Sequence, residues 1–165
     1  MSYLTHSEFL KKVEASGSKY WQEGKNYRWQ YIEYVIEQAK QIGGDAIIEA
    51  GASGIPLNDL SYLMDYPEHD LNVLPFKILG IPMGDKTADI FIALQTWEHL
   101  DNQAAAFSEV MRISKSAILS FPYKWKWGDA RHKGIDGKKI EQWTCGVVPE
   151  SIKIINHRAV YVWKF

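Results

Sequence analysis

The feature that most constrains this chain is a short apolar run that ends in an acid and a glycine-rich turn, Asp45-Ala-Ile-Ile-Glu-Ala-Gly-Ala-Ser-Gly-Ile55. A short apolar run bounded by glycine is typical of a strand buried on both faces of a sheet. The small residues that follow let the backbone turn sharply and let a ligand approach the main chain. Open α/β sheets bind their ligands at such strand ends, so the sequence predicts a crevice here.

Composition agrees with one globular domain that contains such a sheet. The chain has 165 residues, 46% of them hydrophobic and 24% charged, with a formal net charge of -1. This charge predicts no broad attraction for nucleic acid or for an anionic membrane. The single cysteine, Cys145, fits a reducing compartment, and the first residues lack the pattern of a signal peptide. We therefore expect a single cytoplasmic domain over 1–165, with a helical cap over 1–44 and a sheet core over 45–165.

Helical patterns precede the strand. Ser7 is placed to cap a short first helix. Residues 27–42 repeat apolar side chains at helical spacing, and Gly43 and Gly44 follow as a helix end should. The apolar positions of this predicted helix are Tyr27, Tyr31, Tyr34, Val35, Ala39 and Ile42.

Strands and helices then alternate. Further strands are predicted at 60–64, 76–79, 88–94, 117–121, 151–155 and 159–163. Asp101 is expected to cap a helix after 88–94, and Asp136 a short helix that ends at Trp143. This order predicts a three-layer, Rossmann-like α/β fold with a mostly parallel sheet and right-handed crossovers. The short gap at 156–158 predicts an antiparallel C-terminal hairpin.

Two segments resemble class I S-adenosylmethionine-dependent methyltransferases. Ile47-Ile-Glu-Ala-Gly-Ala-Ser-Gly is similar to the family's first motif, a strand that ends in acid, any residue, glycine. Ala88-Asp-Ile-Phe-Ile-Ala-Leu-Gln-Thr-Trp-Glu-His-Leu is similar to its fourth-strand motif and is the more specific match. The segment 111–122 continues the second match, and the terminal hairpin agrees with the family's antiparallel last strand. The resemblance covers roughly residue 45 to the end and implies S-adenosylmethionine as cofactor.

The resemblance also implies cofactor-binding residues. Glu49 would lie near the methionine amino group, although it could instead cap a nearby turn. Asp65 would hold the ribose hydroxyls, with Asp70 as the rival carboxylate. The remaining implied residues are the turn Gly51, Ala52 and Ser53, which could also be a simple tight turn, and the set Gln95, Thr96 and Trp97, of which Trp97 could equally be a core residue.

Glu98 and His99 form the one adjacent acid–imidazole pair beside the expected crevice. Histidine titrates near neutrality and could take a proton from a hydroxyl group, so this pair is the candidate for catalysis. A structural role at a helix start is the alternative, and His69 and His132 are other candidate bases. The histidines are too scattered in the sequence to predict a metal site, and none is expected.

An aromatic and basic loop follows the strand at 117–121. Its candidate substrate-binding residues are Tyr123, Trp125, Trp127 and His132. Flat aromatic faces with charged rims suit sugars, and basic residues suit phosphates. This loop and 141–144 are also similar to methyltransferase-like proteins of surface-sugar and capsule synthesis. A sugar or nucleotide-sugar acceptor is therefore predicted, while packing on the N-terminal helix and binding of single-stranded nucleic acid are the alternatives.

Departures from the methyltransferase pattern define the competing function. Relatives usually have glycine where this chain has Ser53 and often where it has Ile55, and no carboxylate closely follows 76–79. The alternative to methyl transfer is therefore a non-catalytic binding or interaction module with the same fold. The glycine spacing does not fit a nicotinamide-binding enzyme. Whether the chain pairs with a second copy is open from the sequence.

Overall fold

The N-terminal part of the chain is helical. The computed structural model describes residues 2–78, 80–126 and 128–165. It begins with α1 (His6–Ser16), α2 (Lys19–Gln22) and α3 (Lys25–Ile42). The predicted cap at Ser7 is wrong, because Thr5 and Glu8 form a capping box in which the backbone N–H of each donates to the side chain of the other.

Helix α3 confirms the predicted helical periodicity. Its buried face carries Tyr31, Val35 and Ala39 as predicted, while Tyr27 is 40% exposed. The helix ends at Gly43, which has a φ of +75°. This left-handed conformation suits glycine, since a β-carbon would be strained there.

A mixed sheet forms the centre of the molecule. The strands are β1 (Ile47–Ala50), β2 (Tyr62–Met64), β3 (Lys77–Ile78), β4 (Ile81–Pro82), β5 (Ala88–Leu94), β6 (Ser114–Pro122), β7 (Ser151–Ile155) and β8 (Arg158–Lys164). Six of them form one sheet in the order β2-β1-β5-β6-β8-β7. Neighbours among β2, β1, β5 and β6 are parallel, and β8 is antiparallel to both β6 and β7. The mostly parallel sheet and its antiparallel C-terminal hairpin are confirmed.

The segment between β1 and β5 is reduced. The predicted strand at 76–79 is only partly present: β3 pairs with β4 in a separate two-stranded piece, and Leu79 lies outside the described residues. Within the described part of this segment there is no helix. The described part of this segment therefore adds no helix to the layers that pack on the sheet.

In the described part of the chain after β5 there are two helices and one 3₁₀ turn. The 3₁₀ turn is Trp97–His99, and the helices are α4 (Gln103–Ile113) and α5 (Gly137–Trp143). The predicted cap at Asp101 is wrong by one residue, because the Asn102 side chain accepts the N–H of Ala105 at 3.0 Å. Asp136 caps α5 as predicted, accepting the N–H of Lys139 at 3.0 Å.

Alternating side chains of the sheet pack into two hydrophobic cores. Ile90 and Ile92 of β5 face α1 and α3, whereas Phe91 and Ala93 face the core that contains α4 and α5. This alternation follows from the two-residue period of a strand. The result is the predicted three-layer arrangement, which fixes the carboxyl ends of β1 and β5 side by side.

Candidate functional site

A cavity of about 380 Å³ opens at the carboxyl ends of β1 and β5. The backbones are in register here, with Ala50 opposite Ala93. The chain continues from β1 to β2 on one side and reaches β5 on the other, so the cavity lies at the switch point where such sheets bind ligands. Residues 49–53 and 94–96 line the cavity, together with Tyr20, Trp21 and Tyr31.

Gly51 makes the close turn beneath this cavity. It has a φ of +73°, and a β-carbon on it would meet the Thr96 side chain. Its N–H donates to the carbonyl of Met64 at 3.2 Å, which joins the turn to the end of β2. Ser53 also has a positive φ, +50°, which explains why glycine is favoured at this position. The predicted turn residues Gly51, Ala52 and Ser53 all line the cavity.

Glu49 is buried at the end of β1, with 3% of its surface exposed. Its carboxylate accepts the backbone N–H groups of Leu57 at 2.8 Å and Asn58 at 3.0 Å, and the hydroxyl of Ser61. Burial raises the pKa of Glu49, and these hydrogen bonds oppose that shift. The contacts are those of the turn-capping alternative. Because Glu49 also lines the cavity, a ligand contact stays a prediction.

The two candidate ribose-binding carboxylates lie in different surroundings. Asp65 directly follows β2, and its carboxylate accepts the N–H of Ser53 in a long hydrogen bond of 3.4 Å. Asp70 is exposed and accepts the N–H of Asn72 at 2.9 Å. Asp70 also lines a second cavity of about 270 Å³, which shares Gly51 and Thr96 with the first. Asp70 therefore lines a cavity that adjoins the turn, whereas Asp65 is joined to the turn by its hydrogen bond to Ser53 and is not among the described residues that line either cavity.

Of residues 95–97, the first two line the cavity and the third lies in the core. Gln95 has a φ of +54°, donates its side-chain N–H to Ser120 at 3.0 Å and lines the cavity. The Thr96 hydroxyl donates to the carbonyl of Leu94 at 3.2 Å and also lines the cavity. Trp97 is 1% exposed and packs in the core, with its indole N–H donating to Gln103. Trp97 therefore has the core position that the sequence left as its alternative.

Glu98 and His99 are joined by His132. The Glu98 carboxylate lies 3.9 Å from Nε2 of His99 and 4.0 Å from Nε2 of His132. Burial raises the pKa of Glu98 to about 7, and burial together with nearby His132 lowers that of His99. His99 lines both cavities. Although the histidines are scattered along the sequence, the fold brings His99 and His132 together, with their ring centroids 5.1 Å apart.

The aromatic loop packs beside this group. The Trp125 ring stacks on His132 with centroids 5.8 Å apart, and its indole N–H donates to the carbonyl of His157 at 2.7 Å. The Arg158 guanidinium lies 5.2 Å from the Trp125 ring and 5.0 Å from the rings of Tyr27 and Tyr31. Packing of the loop towards α3 is thus observed.

The remaining loop residues contribute less to the site. Tyr123 is half-buried against the core. Trp127 lies outside the described residues. Nothing in the structure assigns a ligand to either residue, so their predicted contact with a substrate stays a prediction.

Sequence reasoning missed three contributors to the site. Tyr20 and Trp21 cover the cavity from α2, and only the abundance of aromatic residues near the start of the chain hinted at them. Asp129 accepts a hydrogen bond from Nδ1 of His132 at 2.8 Å. Its position three residues before His132 is a local spacing that the sequence could have supplied.

Comparison with known proteins identifies the fold. No family model matches the chain, and no curated protein matches it significantly. Solved structures do match. A SAM-dependent methyltransferase from Aquifex aeolicus is 13% identical, with a TM-score of 0.53, over 96% of this chain and 97% of that one. Magnesium protoporphyrin IX methyltransferase from Synechocystis PCC 6803, crystallised with bound SAM, is 14% identical, with a TM-score of 0.55, over 96% of this chain and 90% of that one.

A third similar structure is that of an enzyme named for an RNA acceptor. A small RNA methyltransferase is 11% identical, with a TM-score of 0.55, over 83% of this chain and 25% of that chain. Likeness at these identities shows the fold, so this chain has the class I fold of S-adenosylmethionine-dependent methyltransferases. The acceptors of the similar proteins differ among themselves, so they do not identify one for this chain. Among the described residues no helix is long and apolar enough to cross a membrane.

Proposed function

We propose that this chain transfers a methyl group from S-adenosylmethionine to a small-molecule acceptor of the sugar or nucleotide-sugar class. The observation that carries the proposal is the cavity at the ends of β1 and β5, where Gly51 approaches Thr96 too closely for any side chain. Because Gly51 has no side chain, a ligand in the cavity can lie directly against its backbone. A volume of about 380 Å³ is also within the range of small-molecule sites.

The residues around the cavity fit this cofactor. The side-chain oxygen of Gln95 is buried, and within the described chain it has no hydrogen-bond partner. A buried acceptor without a partner is costly, so a donor such as the methionine ammonium would satisfy it. In the proposal Asp65 accepts from the ribose hydroxyls, because a carboxylate can take two such bonds. Tyr20 and Trp21 line the same cavity and would pack against the bound cofactor.

Alignment supplies most of the rate in this proposal. S-adenosylmethionine brings a methyl group that is already activated by a positively charged sulfur. The protein then has to hold the acceptor atom close to the methyl carbon and in line with its bond to sulfur. His99 lines the cavity beside Glu98, so this pair is the part of the site that acts on the acceptor hydroxyl.

The loop around Trp125 supports the choice of acceptor. Lys124, Lys126 and Arg131 are exposed around an indole ring that is itself half-buried. This combination suits a phosphorylated sugar, since cations bind phosphate and aromatic faces pack on sugar rings. The overall charge of -1 gives no comparable reason to expect a long polyanion.

Cofactor binding is tested by calorimetric titration of S-adenosylhomocysteine into the pure protein. We expect micromolar binding, reduced about tenfold or more in Asp65→Asn, because a hydrogen bond to a charged group is lost. Asp70→Asn is the matched control, since it removes the rival carboxylate from the same loop. Equal effects of the two substitutions, or a larger effect at Asp70, would overturn the role of Asp65.

Acceptor choice is tested by measuring S-adenosylhomocysteine production with sugars, nucleotide-sugars and a short RNA. Turnover with a nucleotide-sugar, reduced in Trp125→Ala, would support the proposal. Turnover with RNA alone would contradict the acceptor class but keep the methyl transfer. A folded protein that binds no S-adenosylhomocysteine would instead favour the non-catalytic binding module.

A further inference from the structure

Three potential ligand atoms converge at the rim of the cavity. One carboxylate oxygen of Glu98 and one ring nitrogen each of His99 and His132 lie within 4.8 Å of one another. Bonds of about 2.1 Å to a common ion place ligand atoms roughly 3.0 to 3.4 Å apart. The observed separations from Glu98 are 3.9 and 4.0 Å, so small side-chain rotations would close the group around an ion.

Asp129 orients His132 towards this group. Its carboxylate can only accept, so Nδ1 of His132 carries the proton in their 2.8 Å hydrogen bond. The lone pair of Nε2 then faces the Glu98 carboxylate 4.0 Å away. A carboxylate that holds the outer nitrogen of an imidazole while the inner nitrogen faces a ligand position is a common support of metal-binding histidines. The stacked Trp125 ring fixes the plane of the same imidazole.

The burial of Glu98 is only partly compensated, by a backbone hydrogen bond and the positive charge of Arg158. Its side chain is 1% exposed, and its second oxygen has no hydrogen-bond partner within the described chain. A buried carboxylate normally has a cation or several donors around it. Here the Glu98 carboxylate and Nε2 of His132 lie 4.0 Å apart, and each can donate a lone pair. A cation between them would satisfy both groups.

We propose that Glu98, His99 and His132 bind one divalent transition-metal cation at the edge of the cavity. Two imidazoles and one carboxylate suit Mn²⁺, Fe²⁺, Co²⁺ or Zn²⁺ better than Mg²⁺ or Ca²⁺, which prefer oxygen ligands. The His99 side chain is 43% exposed and lines both cavities, so the remaining coordination positions face the space for ligands.

The position of the site suggests its use. The cation would bind hydroxyl oxygens of the acceptor, which a sugar can offer in adjacent pairs. This use rests on the proposed methyl transfer, whereas cation binding itself does not. With the cation bound, Glu98 and His99 are ligands and would act on the acceptor hydroxyl through the cation, whereas without it the same pair faces the acceptor directly.

Cobalt binding tests the site without cofactor or acceptor. Chelator-treated protein is titrated with Co²⁺, followed by visible absorption and by equilibrium dialysis, and Zn²⁺ is added in competition. We expect saturation at one ion per chain, displacement by Zn²⁺, and loss of binding in Glu98→Gln and His132→Ala. His6→Ala is the matched control, because it removes an exposed imidazole outside the group. Thermal unfolding checks that each variant is folded.

The Asp129→Asn variant separates a built metal site from incidental binding. Asp129 is 56% exposed at its side chain, so its replacement should leave the fold intact. Loss of this outer hydrogen bond is expected to weaken Co²⁺ affinity about 10- to 100-fold. The proposal is overturned if the wild-type protein binds no ion, or if Glu98→Gln and His132→Ala bind as well as wild type. Cation binding without any methyl transfer would keep this site and refute only the proposed function.

Discussion

The hydrogen bonds of Glu49 give a quantitative test of how the first strand is joined to the loop after it. One carboxylate oxygen accepts the N–H of Leu57, and the other accepts the N–H of Asn58 and the Ser61 hydroxyl. In Glu49→Gln the amide oxygen can keep the second pair of bonds. The amide NH₂ group then faces the N–H of Leu57, and two donors meet.

The expected losses in the free energy of unfolding differ among three variants. A buried donor without an acceptor costs about 1–3 kcal/mol. Removing the charge offsets part of this cost, because burial disfavours the ionised Glu49. We therefore expect Glu49→Gln to lower the free energy of unfolding by about 1–2 kcal/mol. Glu49→Ala should cost about 3 kcal/mol, since three donors lose their acceptor, and Ser61→Ala about 1 kcal/mol.

Urea unfolding at neutral pH measures this ranking. A common slope in the three variants would show that only stability has changed. The double variant Glu49→Gln/Ser61→Ala measures whether the two side chains are coupled. The reasoning would be refuted by a Glu49→Gln variant as stable as wild type, because the carboxylate would then be either protonated or not bonded to Leu57.

Three further predictions concern the turn, the ion pair of buried Glu109 with Arg112, and the core. Gly51→Ala should abolish S-adenosylhomocysteine binding in calorimetry, whereas Gly54→Ala, which has a similar positive φ but no neighbour within 4 Å, should carry only the backbone cost of about 1–2 kcal/mol. Hydrogen bonds from Arg112 lower the pKa of Glu109 in the folded protein. The ionised carboxylate therefore stabilises the fold at pH values above the usual pKa of glutamate, and this stabilisation is lost as the pH falls through the lowered pKa. Acid unfolding of Glu109→Gln should therefore show a weaker pH dependence than wild type, by about 1 kcal/mol. Phe107→Ala should cost about 3–5 kcal/mol in urea, because this ring is fully buried.

Local patterns predicted the strands and the order of the fold. The apolar runs around Ile47 and Ile90 are long enough, and bounded clearly enough, to identify buried strands. Helix caps were harder, because Asp101 and Asn102 are both good caps and only the hydrogen bond to Ala105 distinguishes them. The segment 76–79 failed for another reason: a short apolar run does not reveal whether it joins the main sheet or a separate hairpin.

The group of Glu98, His99 and His132 could not be predicted from local sequence patterns. His132 follows β6 on a loop with no regular periodicity, and its ring reaches Glu98 because β5 and β6 are parallel neighbours with adjacent carboxyl ends. Pairing of strands brings such residues together, whereas spacing along the chain does not. Two observations explain this group: the segments that carry Glu98 and His132 follow neighbouring parallel strands, and Asp129, three residues before His132, accepts a hydrogen bond from its imidazole. His132 thus lies with Glu98 and His99, and in the proposed site a cation would satisfy one buried carboxylate and two imidazoles more completely than a proton shared between two of them.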